Sequence, residues 1–263
     1  MKKSIFLIII LFSISCSNKN EGENATQHKS DYTVHLEKFV SQNPDSIGYR
    51  FKLISSLDSL KMYKEAIAQT DSLIFRDSLN NGLWFTKAQL LEKDGDTSQA
   101  IICYKRAIRV YPSVDAQLSL ANLLAEKKDS LALTICSALY NSAMDRSNDA
   151  HCNFISGIYY ARTQQYDKAI SFFEKCIIND YNYLEAYMEK GFVLYDQKKF
   201  EAALAVFHKI TTIRNTYADA YYWKGKCLEK LNDTEKAIEE YKKSLGLDSQ
   251  LKEAKTALKR LNN

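Results

Sequence analysis

Apolar side chains recur at intervals of three and four residues over most of this chain. One such stripe consists of Ala169, Ile170, Phe173 and Ile177. Residues at i, i+3, i+4 and i+7 share one face of an α-helix, so each stripe predicts an amphipathic helix with one buried side. A single helical hairpin cannot bury both of its stripes, and we therefore expect hairpins to stack into one continuous core.

Composition leads to the same fold class. The 263 residues include only 8 glycines and 2 prolines, too few for the many turns of a barrel or a sandwich. With 46% hydrophobic and 26% charged residues, the chain as a whole is not disordered. The formal net charge of +4 does not indicate a polyanionic partner, and no nucleic-acid binding is predicted. The chain is predicted to be all-α.

The first sixteen residues show a different pattern. Lys2 and Lys3 precede an unbroken apolar run over residues 5–12, and small residues follow. This order is typical of a secretory signal peptide, here residues 1–15. The run has about half the length of about 20 residues that a membrane-spanning helix needs.

The sequence Ser13-Ile14-Ser15-Cys16 resembles the lipobox of bacterial lipoproteins, although Ser13 stands where that family usually has Leu. The resemblance implies that Cys16 is acylated with palmitate and becomes the mature N-terminus. Residues 16–30 then form the acylated cysteine and a polar, flexible tether. Ser17 in place of an acidic residue favours the outer membrane by resemblance to Gram-negative lipoprotein sorting, on either its periplasmic or its surface face. Ordinary secretion with an unmodified Cys16 is the alternative.

A period of 34 residues relates the stripes to one another. It separates Gly157, Gly191 and Gly225, then Ala169, Ala203 and Ala237, and then Phe173, Phe207 and Tyr241. Ala66 and Ala100 extend the series towards the N-terminus. A fixed period of this length is typical of a helical solenoid.

The segment over residues 186–210 resembles the tetratricopeptide repeat (TPR) family. It has Tyr187 at the first aromatic position, Gly191 at the small position, Phe200 at the turn, and Ala203 and Phe207 on the second helix. The resemblance implies a right-handed α-solenoid of stacked helical hairpins. The register gives six repeats over residues 47–251, with an N-terminal capping helix over 31–46 and a C-terminal one over 252–263. The repeats are 47–80, 81–113, 114–149, 150–183, 184–217 and 218–251.

The third repeat, 114–149, is irregular. Ala121 follows Ala88 by 33 residues and precedes Gly157 by 36. We interpret this as a shortened turn at Lys128 and Asp129 and an insertion near residues 145–148. Such a repeat is either a simple irregularity or a joint between two blocks of three repeats.

Packing within a hairpin follows from the same register. We expect Gly191 to face Ala203 at the closest approach of the two helices, where a larger side chain would overpack the contact. Most of the 17 Tyr and 12 Phe residues are expected in the core, between repeats.

No pattern of catalytic or metal-binding residues is found. Beyond Cys16 the cysteines are Cys103, Cys136, Cys152, Cys176 and Cys227, with no CxxC motif, and we expect them to be buried as small apolar residues. A disulfide between Cys136 and Cys152 is an alternative that their spacing alone does not support. The histidines have no helical metal spacing, and nucleotide-binding motifs are absent. We predict no catalysis, cofactor or metal.

The TPR resemblance implies that the first helix of each repeat lines a concave groove that binds a protein or peptide. The predicted partner-binding residues, an apolar band with cations nearby, are Phe154, Ile158, Arg162, Met188, Phe192, Tyr195, Tyr222 and Lys226. With the lipobox, this layout is similar to the TPR lipoproteins of outer-membrane barrel assembly and pilus biogenesis. We therefore expect an envelope-anchored adaptor that binds another envelope protein or peptide. The alternative is a structural subunit of an assembly, secretion or motility complex that docks through its convex face, near Lys168 or Glu239.

Overall fold

The computed structural model describes residues 29–142 and 146–261, and within these residues it contains fourteen α-helices and no strand. The predicted signal peptide and the lipobox residue Cys16 lie outside the described residues, as does the tether up to residue 28. An all-α fold is therefore confirmed for the part of the chain that the structure covers.

The helices form six hairpins between two single helices. The single helix α1 (Asp31–Gln42) comes first. The hairpins, numbered 1 to 6, pair α2 (Ile47–Ser59) with α3 (Tyr63–Arg76), α4 (Asn81–Asp94) with α5 (Thr97–Val110), α6 (Val114–Glu126) with α7 (Leu131–Ser142), α8 (Arg146–Arg162) with α9 (Tyr166–Asn179), α10 (Leu184–Asp196) with α11 (Phe200–Ile213), and α12 (Ala218–Lys230) with α13 (Thr234–Leu247). The chain ends with α14 (Lys252–Leu261). Each second helix also packs against the first helix of the next hairpin, which produces the continuous stack.

Every hairpin turns through one residue in the left-handed region. These residues are Lys61, Gly95, Lys128, Gln164, Lys198 and Asn232, with φ between 58° and 90°. The next amide closes the turn, as Lys199 N–H does by donating to the Leu194 carbonyl over 2.9 Å. This six-to-one bond marks a Schellman motif, in which glycine is the usual left-handed residue. Only Gly95 follows that preference, which agrees with the scarcity of glycine in the chain.

The repeated glycines of the first helices lie against aromatic rings. A Cβ on Gly157, Gly191 or Gly225 would lie 2.5–2.6 Å from ring atoms of Phe173, Phe207 or Tyr241. Gly191 lies directly against the Phe207 ring, since all three atoms nearest to that Cβ position belong to Phe207, and the facing of Gly191 and Ala203 stays a prediction. The glycines do mark helix contacts and not turns, as expected.

Fewer aromatic side chains are fully buried than the sequence suggests. Among the described residues, the buried rings are those of Tyr104, Phe173, Tyr187, Phe207 and Tyr241. Most of the other Tyr and Phe side chains are half-buried at the edges of the core. The small residues expected in the core do lie there, and the thiols of Cys103, Cys136, Cys152, Cys176 and Cys227 are all buried.

The irregularity of hairpin 3 lies at both ends of α7. The N–H groups of Ala132 and Leu133 donate to carbonyls three residues back, at Asp129 and Ser130, over 3.2 and 3.0 Å. At the corresponding place in hairpin 1, Ala66 N–H donates four residues back. The tighter start of α7 thus accommodates the missing residue. The inserted residues lengthen the start of α8, which has 17 residues where α6 has 13.

Candidate interaction surface

The first helices of the hairpins lie side by side and form one surface, which we call the first-helix face. Lys93 of α4 pairs with Asp58 of α2 over 2.7 Å. At the other end, the rings of Phe192 in α10 and Trp223 in α12 have centroids 4.6 Å apart. Contacts of this kind between successive first helices place residues from several hairpins within reach of one partner. We call the surface formed by the second helices the second-helix face.

Two of the predicted partner-binding residues belong to the core. Ile158 is 1% exposed and Met188 is 7% exposed, and both pack in apolar clusters between hairpins. A change of one position rotates a side chain by about 100° around a helix, so core and surface positions are adjacent in sequence. This burial removes Ile158 and Met188 from the candidate surface.

Phe154 is held mainly by its own hairpin. Its ring lies 5.0 Å from that of Tyr183 and 6.0 Å from that of Phe173, measured between centroids. The ring is half-buried. Phe154 therefore packs against neighbouring rings and presents only part of its surface to a partner.

Arg162 is neutralised inside the protein. Its Nε donates to Glu126 Oε2 of α6 over 2.8 Å, and its Nη1 donates to Glu189 Oε2 of α10 over 3.1 Å. Burial raises the pKa of the Glu189 carboxyl, and Arg162 opposes that rise. Burial alone would lower the pKa of Arg162, but the two carboxylates raise it above its ordinary value. The guanidinium joins three first helices and is not a cation available to a partner.

Lys226 has a different environment. Its Nζ lies 4.1 Å from the ring centroid of Trp223, 5.2 Å from that of Tyr195 and 5.8 Å from that of Tyr222. Within the described residues Lys226 takes part in none of the ion pairs. Burial lowers the pKa of the Lys226 ammonium and the nearby charge of Lys230 lowers it further, while the carboxylates of Glu229 and Asp196, which do not form an ion pair with it, oppose the shift.

Three half-buried rings surround this ammonium, and a fourth half-buried ring, that of Phe192, packs against Trp223. We call this group the Lys226 cluster, and it consists of Phe192, Tyr195, Tyr222, Trp223 and Lys226. Trp223 was missed in the sequence because its register position is not one that the TPR pattern assigns to the groove. Its residue type was the available signal, since tryptophan is enriched among residues that dominate binding energy.

The N-terminal half of the same face has a shallow cavity of about 210 Å³ between α2 and α4. Phe51, Ser55 and Asp58 line one side, and Gln89 and Lys93 line the other. Phe51 is 44% exposed. The cavity shows that the surface open to a partner continues beyond the C-terminal half to which the sequence pointed.

The described residues give no arrangement that resembles an active site. His151 is exposed, and its Nδ1 lies 2.8 Å from the Ser147 carbonyl oxygen. Across residues 29–142 and 146–261, no three His, Cys, Asp or Glu side chains are grouped as a metal site would require. Nor does any helix there combine the length and apolar character needed to cross a bilayer.

Comparison with known proteins identifies the repeats. The tetratricopeptide repeat family matches residues 82–114, 150–178 and 218–251, which correspond to hairpins 2, 4 and 6. Among the curated proteins compared, none matches significantly.

Solved structures resemble the chain over most of its length. A tetratricopeptide repeat protein from Parabacteroides merdae has 17% identity and a TM-score of 0.70, over 88% of this chain and 91% of its own. PilW, described as a type IV pilus biogenesis factor, has 15% identity and a TM-score of 0.67, over 80% of this chain and 97% of its own. The Cut9–Hcn1 complex has a TM-score of 0.63 at 15% identity, over 90% of this chain and 47% of the matched one. These likenesses confirm a TPR-type helical-repeat fold.

Proposed function

We propose that this protein is a non-catalytic adaptor, anchored in the bacterial envelope, that binds another protein or a peptide on its first-helix face. A TPR-type fold is suited to protein–protein interaction because stacked hairpins present an extended surface without needing a catalytic pocket. The observation that carries the proposal is the Lys226 cluster, where an ammonium lies among aromatic rings with no carboxylate paired to it in the described residues.

The chemistry of this cluster suits an acidic segment of a partner. Aromatic side chains beside a cation are common among the few residues that contribute most binding energy. A partner that covers Lys226 would have to compensate its lost hydration, which a carboxylate does and an apolar side chain does not. The rings of Trp223 and Tyr195 would then contact apolar atoms next to that carboxylate.

The envelope part of the proposal rests on residues 1–30, through the apolar run and the lipobox resemblance at Cys16. The test of this part does not depend on the first-helix face. Cells that express the full chain are labelled with palmitate, and the Cys16→Ser variant should lose both the label and the membrane association. Continued labelling of Cys16→Ser would contradict acylation at this residue.

The binding part can be tested by site-specific photo-crosslinking in cells. A benzophenone-bearing residue is placed at position 89 or 230 on the first-helix face, and at position 105 or 242 on the second-helix face as matched controls. All four native residues are exposed, and the pairs lie in hairpins 2 and 6. The proposal expects one protein to be crosslinked from positions 89 and 230 and not from the controls.

The role of Lys226 is tested in the same cells. Lys226→Gln should reduce crosslinking at position 230 by about tenfold, the effect of a residue that contributes roughly 1–2 kcal/mol. Lys226→Arg should retain much of the signal because a guanidinium also stacks on aromatic rings. Lys242→Gln is the control for a lost charge and should have no effect. Equal yields from all three variants would contradict the proposal.

The second candidate is a structural subunit that docks through the second-helix face. Apolar side chains are exposed at the ends of second helices, with Phe75 at 92% and Ile178 at 73%. A cavity of about 400 Å³ also lies between α11 and α13, lined by Leu204, Leu228 and Glu239 among others. Under this candidate, crosslinks arise from positions 105 and 242, and Glu239→Lys or Lys168→Glu reduces them while Lys226→Gln does not.

A further inference from the structure

Two buried thiols meet where hairpin 3 joins hairpin 4. Cys136 lies on α7 and Cys152 on α8, and each is 3% exposed. Both side chains lie in the same buried apolar cluster, and α7 packs directly against α8. The two cysteines are thus neighbours across an interface between hairpins, although 16 residues separate them in sequence.

The repeat register shows which packing positions the two cysteines occupy. Cys136 is the fourth residue after Ala132, a position that holds a buried aromatic ring in four of the other five hairpins, as Phe207 shows. Cys152 is the fifth residue before Gly157, where α6, α10 and α12 each have a buried alanine, such as Ala220. After hairpins 2, 4 and 5 this interface has a ring and an alanine, as in the apolar cluster that contains both Phe207 and Ala220. At this junction both residues are cysteines.

The junction is also the irregular part of the stack. The shortened turn lies before Cys136, and the lengthened start of α8 lies before Cys152. The segment that leads into each cysteine therefore departs from the repeat pattern. A covalent link between the two helices would fix their relative position where the regular packing is interrupted.

We propose that Cys136 and Cys152 form a disulfide that links hairpin 3 to hairpin 4. The oxidant is an external disulfide, such as oxidised glutathione or the active site of a thiol–disulfide oxidoreductase. One thiolate of this chain attacks the external disulfide, forming a mixed disulfide and releasing one external thiolate. The second thiolate then attacks the sulfur of the mixed disulfide that belongs to this chain and releases the other external thiolate. In sum, two thiols of this chain lose two electrons and two protons, and one external disulfide becomes two thiols.

The surroundings of the two thiols indicate the order of these steps. The hydrogen bond from Cys136 lowers the pKa of Cys152, although burial opposes this. The same hydrogen bond and burial raise the pKa of Cys136. Cys152 is thus the better first nucleophile, because the thiolate is the reactive form. Both thiols are buried, so the reaction proceeds during folding or through local opening of the junction.

Peptide mapping of the wild-type full chain tests the proposal directly. The chain is incubated with oxidised glutathione, remaining thiols are alkylated in denaturant, and the protein is digested with trypsin without reduction. Cleavage after Lys128, Arg146 and Arg162 places the two cysteines on separate peptides, 129–146 and 147–162. We expect these peptides to be joined, with a mass about 2 Da below their sum because two hydrogens are lost. Alkylation at both cysteines after prolonged exposure, or a disulfide that joins either one to another cysteine, would overturn the proposal.

Variants then test the structural effect. Oxidation should raise the thermal unfolding midpoint of the wild type, because the cross-link restricts the unfolded chain. Cys136→Ala and Cys152→Ala should each remove that rise, whereas Cys103→Ala, which alters a buried cysteine in hairpin 2, should retain it. If Cys136→Ala or Cys152→Ala fails to fold, the peptide map of the wild-type chain still shows whether the disulfide forms. A rise that persists in a folded Cys136→Ala protein would count against the disulfide.

Discussion

At the scale of single residues, two positions in register within a hairpin compensate in size in five of the six hairpins, and hairpin 3, with Ala121 and Cys136, is the exception. The pairs in register are Ile54 with Thr70, Ala88 with Tyr104, Ala121 with Cys136, Gly157 with Phe173, Gly191 with Phe207, and Gly225 with Tyr241. An aromatic ring on the second helix occurs only where the first helix has glycine or alanine, and the bulky Ile54 is matched by the small Thr70. The core thus keeps its density while the two residues vary together.

Gly191→Ala tests this compensation. The added methyl would lie 2.5 Å from the Phe207 ring, so the ring must move. Overpacking costs about 1–3 kcal/mol, whereas the higher helix propensity of alanine stabilises the helix by up to about 1 kcal/mol. We therefore expect the free energy of unfolding to fall by about 1–2 kcal/mol. Gly246→Ala is the control, because nothing lies within 4 Å of its Cβ position, and it should stabilise by about 0.5–1 kcal/mol. Urea unfolding followed by circular dichroism measures both; equal stabilisation by the two variants would contradict the ring contact.

At the scale of elements, the sequence predicts the hairpins well and their side-chain pairings poorly. Gly157, Gly191 and Gly225 each contact an aromatic ring of the second helix in the same way, so their spacing gives the period of the hairpins. The pairing of Arg162 with Glu126 and Glu189 joins residues 36 and 27 positions away, and no repeat period encodes those distances. Residues whose role depends on such single pairings cannot be assigned from periodicity.

Glycine at the left-handed position of a hairpin turn should stabilise the protein, but the chain has it only at Gly95. Lys198 has φ 61°, a conformation that costs about 1 kcal/mol or more for a residue with a Cβ. Lys198→Gly should therefore raise the free energy of unfolding by about 0.5–1 kcal/mol, after the greater flexibility of glycine in the unfolded chain is counted. Its neighbour Lys199 has φ −84°, so Lys199→Gly relieves nothing and should be neutral or destabilising. Thermal and urea unfolding compare the two; a greater gain from Lys199→Gly would refute the argument.

The bridge from Arg162 to α6 and α10 should matter more than the exposed ion pair between Arg260 and Glu229. Arg162→Ala leaves the Glu189 side chain, which is 10% exposed, without its partner, and should cost about 2–3 kcal/mol because an unpaired buried carboxylate is poorly solvated. Arg162→Met together with Glu189→Gln should recover much of that loss, since no buried charge remains. Arg260→Ala removes an exposed partner of Glu229 and should have little effect. Equal losses from Arg162→Ala and Arg260→Ala, measured in urea, would contradict the role given to burial.

At the scale of the whole molecule, the core is a series of apolar clusters joined by shared side chains. Ile67 and Trp84 pack against both of the first two clusters, and Ile170 and Ile177 connect the second to the third. Leu204 connects the third to the last, which lies in hairpin 6 and α14. The stack was predictable because each stripe needs a neighbour. Which side chains remain on the open surface was not predictable. The half-buried ring of Tyr195 and the buried side chain of Met188 lie on the same helical stripe, and they differ only in whether the next hairpin covers them.

This arrangement predicts that a destabilising substitution at one end of the stack affects only the nearest hairpins. Ala254 of α14 is fully buried in the last cluster, with Leu228 and Tyr241. Ala254→Asp places a carboxylate in apolar surroundings, at a cost of several kcal/mol, and should detach α14. Hydrogen exchange followed by mass spectrometry should become more than about tenfold faster in α13 and α14, since that factor needs only about 1.4 kcal/mol. Exchange in α2 to α9 should not change, because each hairpin contacts only its neighbours.

Ala68→Asp is the matched control, because Ala68 is exposed within α3 and should tolerate the charge. Its exchange pattern should equal that of the wild type at the C-terminal end. If Ala254→Asp instead accelerates exchange equally from α2 to α14, the stack unfolds as one cooperative unit and the shared side chains couple all its clusters. A response confined to hairpin 6 and α14 would mean that the coupling through Leu204 is too weak to carry the loss into hairpin 5. The extent of accelerated exchange therefore measures how far stability is transmitted along the array.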